Sequence, residues 1–369
     1  MLLRLGVNAG RKLVKKKFST AIVGHWQALN VLLPAFQSVP DFKVAALCGR
    51  NGEATRAAAV KAGVAKAYRD WEALVEDPEI EVVALALPAF LQARAAVALA
   101  ASGKHLFCEK PLAADLAGAQ AVCAAVSARQ RVAAVNFGFR MVEAFRDFHS
   151  IAKEGMLGAP QLVMVEWLLS TRCDPTLAWN WKSDARQGGG TLNLMASHVL
   201  DYLSWFLGEI VKVRLQTAAW VPFRPDGNPG HPKKVEADDT CNLLMTLARE
   251  TPASVTVSTA LGVPGGHRVR VWFEKGLLEL ANTASDDYQD GFKLSFQPGK
   301  NAGRGLGREV KKSARLSQMK SCHPGRVAVT RRVVEEYALA LRGRENRAPT
   351  LDDALKVQKY IEMARQSGW

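Results

Sequence analysis

The stretch that decides the fold is Phe18–Phe36, FSTAIVGHWQALNVLLPAF. Phe18–Gly24 reads as an apolar strand ending at a glycine, and Ala28–Ser38 as a helix. Strand, glycine turn and helix open a dinucleotide-binding unit when the turn carries G-x-G-x-x-G. Here Gly24 takes the first position, but Trp26 and Leu29 stand where the second and third glycines belong. The second normally lets a pyrophosphate touch the backbone, and the third lets helix and strand pack closely. The plain reading is a weakened phosphate cradle. The helix start still offers free N–H groups to an anion, and an outward-turned Trp26 leaves that site usable.

Downstream, strands and helices alternate. Strands are expected at Phe42–Cys48, Ala65–Tyr68, Val82–Leu87, His105–Cys108 and Val132–Asn136, and helices at Glu53–Gly63, Asp70–Glu76, Leu91–Gly103 and Leu116–Ala128. That order predicts a doubly wound α/β unit over 18–139, its parallel sheet buried on both faces. After about Arg140 the strands lengthen and alternate: Gln161–Leu169, Val211–Trp220, Thr240–Leu247, Ser254–Thr259, Arg268–Phe273 and Leu277–Leu280. With the helices Thr191–Leu207, Val329–Arg342 and Thr350–Gln366, they predict an α+β unit over 140–369 with a mostly antiparallel sheet. In such a pair the cleft lies at the carboxyl ends of the parallel strands.

The formal charge of +14 is localised. Residues 1–40 hold six basic and no acidic residues, residues 298–332 hold ten basic and one acidic, and the rest sums to −1. The body is therefore near neutral. A basic extension over 1–17 and a basic loop over 298–327 carry the charge, which argues against a specific nucleic-acid partner. No apolar run reaches the ~18 residues of a membrane span. Cys48, Cys108, Cys123, Cys173, Cys241 and Cys322 show neither disulfide nor zinc spacing, so no metal site is expected and a cytoplasmic setting is.

Two motifs carry chemistry. FCEKPLA, Phe107–Ala113, puts Glu109 and Lys110 just past the fifth strand, at the cleft edge. A buried lysine there can exchange a proton with a substrate hydroxyl. GGGTLNLMASHVLDYL, Gly188–Leu203, sets a triple glycine, suited to close approach of a ligand, before a helix that projects His198 and Asp201. Trp179 and Trp181 alternate just upstream, placed either to wall a substrate pocket or to pack in the core, and Arg140 either reaches the cleft or ties the two units. The end of the second strand reads Cys48-Gly49-Arg50-Asn51. With no acid to hold a ribose 2′-hydroxyl and Arg50 available for a 2′-phosphate, NADP is favoured over NAD.

These pieces, with ALP 86–88, VNFGFR 135–140, WNWKSD 179–184 and ADDT 237–240, resemble the Gfo/Idh/MocA oxidoreductases, from about Phe18 onward. The resemblance implies a Rossmann unit holding NADP or NAD against Gly24, His25, Trp26, Arg50, Leu87, Pro88, Glu109 and Lys110. It also implies a sugar-like substrate near Arg140, Trp179, Trp181 and His198, and a homodimer or homotetramer. The family's E-K-P lysine, which passes a proton, falls on Lys110, and its helix histidine on His198. The aspartate often found four residues before that histidine is Leu194 here, with Asn193 one step off. The rival reading is a non-catalytic member, its nucleotide loop degenerate, acting as a binding or scaffold protein.

Overall fold

The computed structural model describes residues 16–227, 231–283, 291–303, 306–307, 310 and 325–367. Most of the expected basic extension, and much of the expected basic loop (304–305, 308–309 and 311–324), lie outside the described residues.

Six parallel strands form the first sheet: β1 Phe18–Gly24, β2 Phe42–Cys48, β3 Lys66–Tyr68, β4 Val82–Ala86, β5 His105–Cys108 and β6 Ala133–Val135. Their order, β3-β2-β1-β4-β5-β6, reverses direction between β1 and β4, which opens a crevice at the carboxyl ends of those two strands. Continuous burial along β1 and β4 follows from helices on both faces. Asn51 caps the helix Gly52–Ala62 and Asp115 caps Leu116–Ala128, each accepting a backbone N–H from the first turn.

The second sheet holds β7 Pro160–Leu168, β8 Ile210–Ala218, β11 Thr240–Leu247, β12 Thr251–Ser258, β13 Gly266–Phe273, β14 Gly276–Asn282 and β15 Lys293–Pro298; between β8 and β11 lies a small hairpin, β9 Phe223–Arg224 and β10 Lys233–Lys234. Its order is β15-β14-β13-β7-β12-β11-β8. Burial alternates along β7, β12 and β14, so only one face is packed by helices. All neighbours are antiparallel except β7 and β12. The sheet is thus mostly antiparallel, as its alternating strands lead one to expect, with one parallel pair because β7 is inserted in the middle of a sheet whose other strands follow later.

The C-terminal helices return to the first sheet. Tyr337, in Gly325–Leu341, packs on Phe42 and Phe107, and Arg342 bonds Asp41 at 2.6 Å. Gln358, in Leu351–Gln366, donates to the Ala113 carbonyl at 3.0 Å. These contacts hold both C-terminal helices to the first unit.

Candidate functional site

β5 delivers Glu109 and Lys110 to the crevice. The Glu109 carboxylate is buried and accepts from Gln27 Nε2 at 2.9 Å and Asn136 Nδ2 at 2.8 Å, while its N–H donates to Leu85 at 2.8 Å. It therefore knits together the ends of β1, β4, β5 and β6. From beneath, Gln92 donates to the carbonyls of Glu109 and Pro111. Held this way, the half-buried Lys110 donates from Nζ to the Leu194 carbonyl at 2.6 Å. Burial pushes Lys110 down to about 8; Glu109 opposes the shift, and Arg326 and Lys182 add to it.

The Leu194 carbonyl is available because of local helix geometry. Leu192–Ala196 winds as a π-turn before the α-helix Ser197–Leu207, and such turns displace carbonyls from the i→i+4 ladder. The position that lacks the expected carboxylate thus supplies a main-chain oxygen to Lys110. Asn193 turns back to the Gly188 carbonyl at 2.8 Å. One turn after Leu194, His198 is 2% exposed, is ringed by Phe137, Phe139 and Trp167, and among the described residues has no hydrogen-bond partner at Nδ1 or Nε2. Burial, with Lys110, His267 and Arg326 adding, pushes its pKa well below the ordinary value, so its imidazole is neutral at pH 7.

The triple glycine approaches protein rather than leaving its backbone open to a ligand. A Cβ on Gly188 would lie 2.7 Å from Ala89 Cβ, one on Gly189 2.5 Å from the Lys182 oxygen, and one on Gly190 2.2 Å from Asp238 Oδ1. The glycines let this segment dock against the first unit and against Asp238, which accepts the Leu192 N–H at 2.7 Å.

At the opening turn, Gly24 has φ +134°, and a Cβ there would lie 2.4 Å from the Ala86 carbonyl oxygen. That explains why this glycine remains. His25 is exposed and Trp26 is 58% exposed, its ring 5.8 Å from the Arg326 guanidinium. Leu29 packs on the core, so the helix meets the sheet through a side chain instead of a glycine contact. The turn fits a dinucleotide. Its indole is turned outward rather than packed into the loop, and the helix start presents N–H groups without intrahelical acceptors. Leu87 and half-buried Pro88 flank it after β4, and exposed Arg50 follows β2.

Two residues assigned above to substrate are occupied otherwise. Arg140 is pinned to Asp201, with Nη2 2.6 Å from Oδ1 and Nε 3.0 Å from Oδ2, and it reaches Asp353 at 3.0 Å. It ties the crossing segment to two helices rather than facing the cleft. Trp179 donates from Nε1 to the Lys234 carbonyl at 3.0 Å, and Lys233 sits 3.4 Å above its ring, so the β9–β10 hairpin covers the face expected for a sugar. Trp181 is half-buried and opens a 3₁₀ turn, Trp181–Ser183. Gln27, Asn136, Lys182 and Arg326 escaped the sequence reading. Asn136 lies within the quoted VNFGFR, and its position after β6 was the signal that could have found it.

Comparison with known proteins agrees with this geometry. Residues 18–137 match the model described as oxidoreductase family, NAD-binding Rossmann fold, and residues 145–279 match the Gfo/Idh/MocA C-terminal domain. An uncharacterized oxidoreductase of Synechocystis sp. is 29% identical over 95% of this chain and 93% of its own. The levoglucosan dehydrogenase of Pseudarthrobacter phenanthrenivorans is 30% identical over 56% of each chain. A solved structure of levoglucosan dehydrogenase in complex with NADH and L-sorbose superposes with a TM-score of 0.79 at 22% identity, covering 95% of this chain and 96% of that one. With both halves matched in order, and with the strand order and E-K-P turn in place, the chain belongs to the Gfo/Idh/MocA family of NAD-binding oxidoreductases.

Proposed function

We propose that this oxidoreductase interconverts a hydroxyl and a carbonyl on a sugar-like or other small polar substrate, with Lys110 passing the proton and His198 orienting the reacting oxygen. The observation that carries the reading is Lys110 itself: Nζ lies 2.6 Å from a carbonyl one turn before a buried histidine whose ring nitrogens have no partner among the described residues, and burial brings the amine down to about 8. The bound dinucleotide supplies the hydride acceptor or donor. Gly24, His25 and Trp26 would meet its phosphates, with Arg326 close by; Leu87, Pro88, Glu109 and Lys110 would border its reactive end. In the oxidative direction neutral Lys110 accepts the hydroxyl proton, and in the reductive direction its ammonium returns it. Neutral His198 offers one ring nitrogen to the same oxygen. Relatives named as dehydrogenases of levoglucosan and myo-inositol support a sugar or polyol.

For the cofactor we favour NADP over NAD. Arg50 is exposed, the stretch Cys48–Asn51 itself carries no acid although Asp70 and Glu72 act on the Cys48 thiol, and Arg56 and Arg69 flank Gly52 just beyond. Residues 18–139 form the dinucleotide unit and 140–369 the substrate unit in this reading. Exposed Leu162, Val211 and Leu244 on the second sheet support pairing of that face in a homodimer or homotetramer, and the thiols support a cytoplasmic setting.

Titration with NADPH and NADH, followed by energy transfer from tryptophan, tests this. Saturable binding, tighter for NADPH and weakened selectively by Arg50→Ala, is expected. Absence of binding to either at millimolar concentration refutes cofactor use and restores the non-catalytic reading.

A further inference from the structure

A cavity of about 730 Å³ is lined by the helix Glu143–Lys153, by Trp205 and by the segment around Arg347. Trp205 lies two turns beyond His198 on the same helix, about 10 Å along its axis. The cavity is of the size that holds small ligands. Arg146, Lys153 and Arg347 all line it, and among the described residues none of the three ends in a hydrogen bond or ion pair. Asp147 and Glu154 also line it and have partners of their own. Its fourth cation, Arg140, is matched by Asp201 and Asp353. Between them, His149 stacks on Trp205 at 4.0 Å, and Arg140 lies 5.6 Å from the same indole. This stack gives the cavity a rigid floor.

The field inside is positive. Besides burial, the groups that push His149 down to about 4 are all cations: Lys153, Arg140 and Arg347. Arg146 is likewise pushed down, by burial first and then by Arg347, with Glu336 and Asp147 opposing and Arg332 adding. Cations crowded into a concavity without carboxylates bound to them are in the state that an oxyanion relieves. Guanidinium groups take two oxygens of one phosphate in a fork, and a lysine adds a point charge.

We propose that this cavity is a binding site for a small phosphate-bearing anion, held by Arg146, Arg347 and Lys153 over the His149–Trp205 stack. A phosphate dianion matches this set better than one carboxylate, which would leave cations unanswered. The site shares no group with Lys110, His198 or the opening turn, so it stands apart from the proposed reaction.

Calorimetric titration of the full chain with pyrophosphate tests it, with citrate at equal ionic strength as the comparison. Binding of pyrophosphate at or below millimolar concentration is expected, weakened about tenfold in Arg347→Ala and further in Arg146→Ala/Arg347→Ala. Arg347 is exposed, so its single variant keeps the test independent of folding. No binding to the wild type, or equal binding to wild type and Arg347→Ala, overturns the site. Citrate binding as tightly as pyrophosphate overturns the phosphate assignment.

Discussion

Lys110 can be tested without knowing the substrate. Its side chain leaves water at the cleft edge with one carbonyl as partner, and an amine so placed is harder to charge. At a pKa of about 8, against the ordinary lysine value of 10.5, the neutral amine is roughly one molecule in eleven at pH 7, compared with about one in three thousand for a free lysine. That is an enrichment of roughly three-hundredfold. Competitive acylation at varied pH, with each lysine read by mass spectrometry, reports this fraction directly. Lys110 is expected to label with a midpoint near 8, well below the surface lysines. The neighbours fix the sign of further shifts. Arg326→Ala and Lys182→Ala remove like charges and move the midpoint up, whereas Glu109→Gln removes the opposing carboxylate and moves it down. Oxidative turnover, which needs the neutral amine, should rise through the same pH, and reductive turnover should fall. A midpoint at the ordinary lysine value, or shifts of the opposite sign in these variants, refutes the reasoning.

Three other outcomes follow from the geometry. Arg140→Ala leaves buried Asp201 without its bidentate partner and should cost about 3 kcal/mol or more in chemical denaturation. Because burial already pushes Asp201 up to about 6, protonation relieves that loss, which should shrink between pH 8 and pH 5. Gly24→Ala places a Cβ 2.4 Å from the Ala86 oxygen at φ +134°, so it should destabilise the chain by about 2 kcal/mol or more and abolish dinucleotide binding in the titration. Asn136→Asp sets a second carboxylate against Glu109 and should raise the Lys110 labelling midpoint above that of wild type.

The first unit was legible because its signals are local. Apolar runs of four to seven residues broken by glycine and proline mark β1, β2, β4 and β5 almost to the residue. The E-K-P turn was legible for the same reason, since a motif after a recognised strand inherits that strand's place in the sheet. What the sequence hides is pairing across distance. Gln27 and Asn136 stand 82 and 27 residues from Glu109, and nothing local marks either as its donor. Arg140 left two readings open until Asp201, 61 residues on, was found to hold it. β15 was missed because KLSFQP is an edge strand that leaves most of its residues exposed and carries little apolar signal.

The two departures from the family pattern act differently on the site. Leu29 replaces a packing glycine with a packing side chain, so the helix still lies on the sheet and only the approach distance changes. Leu194 removes a titratable group from the cleft, and that alters the distribution of roles. With no carboxylate there, and with His198 held neutral by burial, His198 can donate or accept a hydrogen bond but is a poor proton store at pH 7. Glu109 is buried and committed to Gln27 and Asn136. Lys110 is left as the group beside the histidine that titrates near neutrality, and among the described residues its side chain bonds only a carbonyl, which can hold the ammonium but cannot take its proton. In the proposed reaction the substrate proton therefore has to pass between the oxygen and Lys110 directly, without a carboxylate relay.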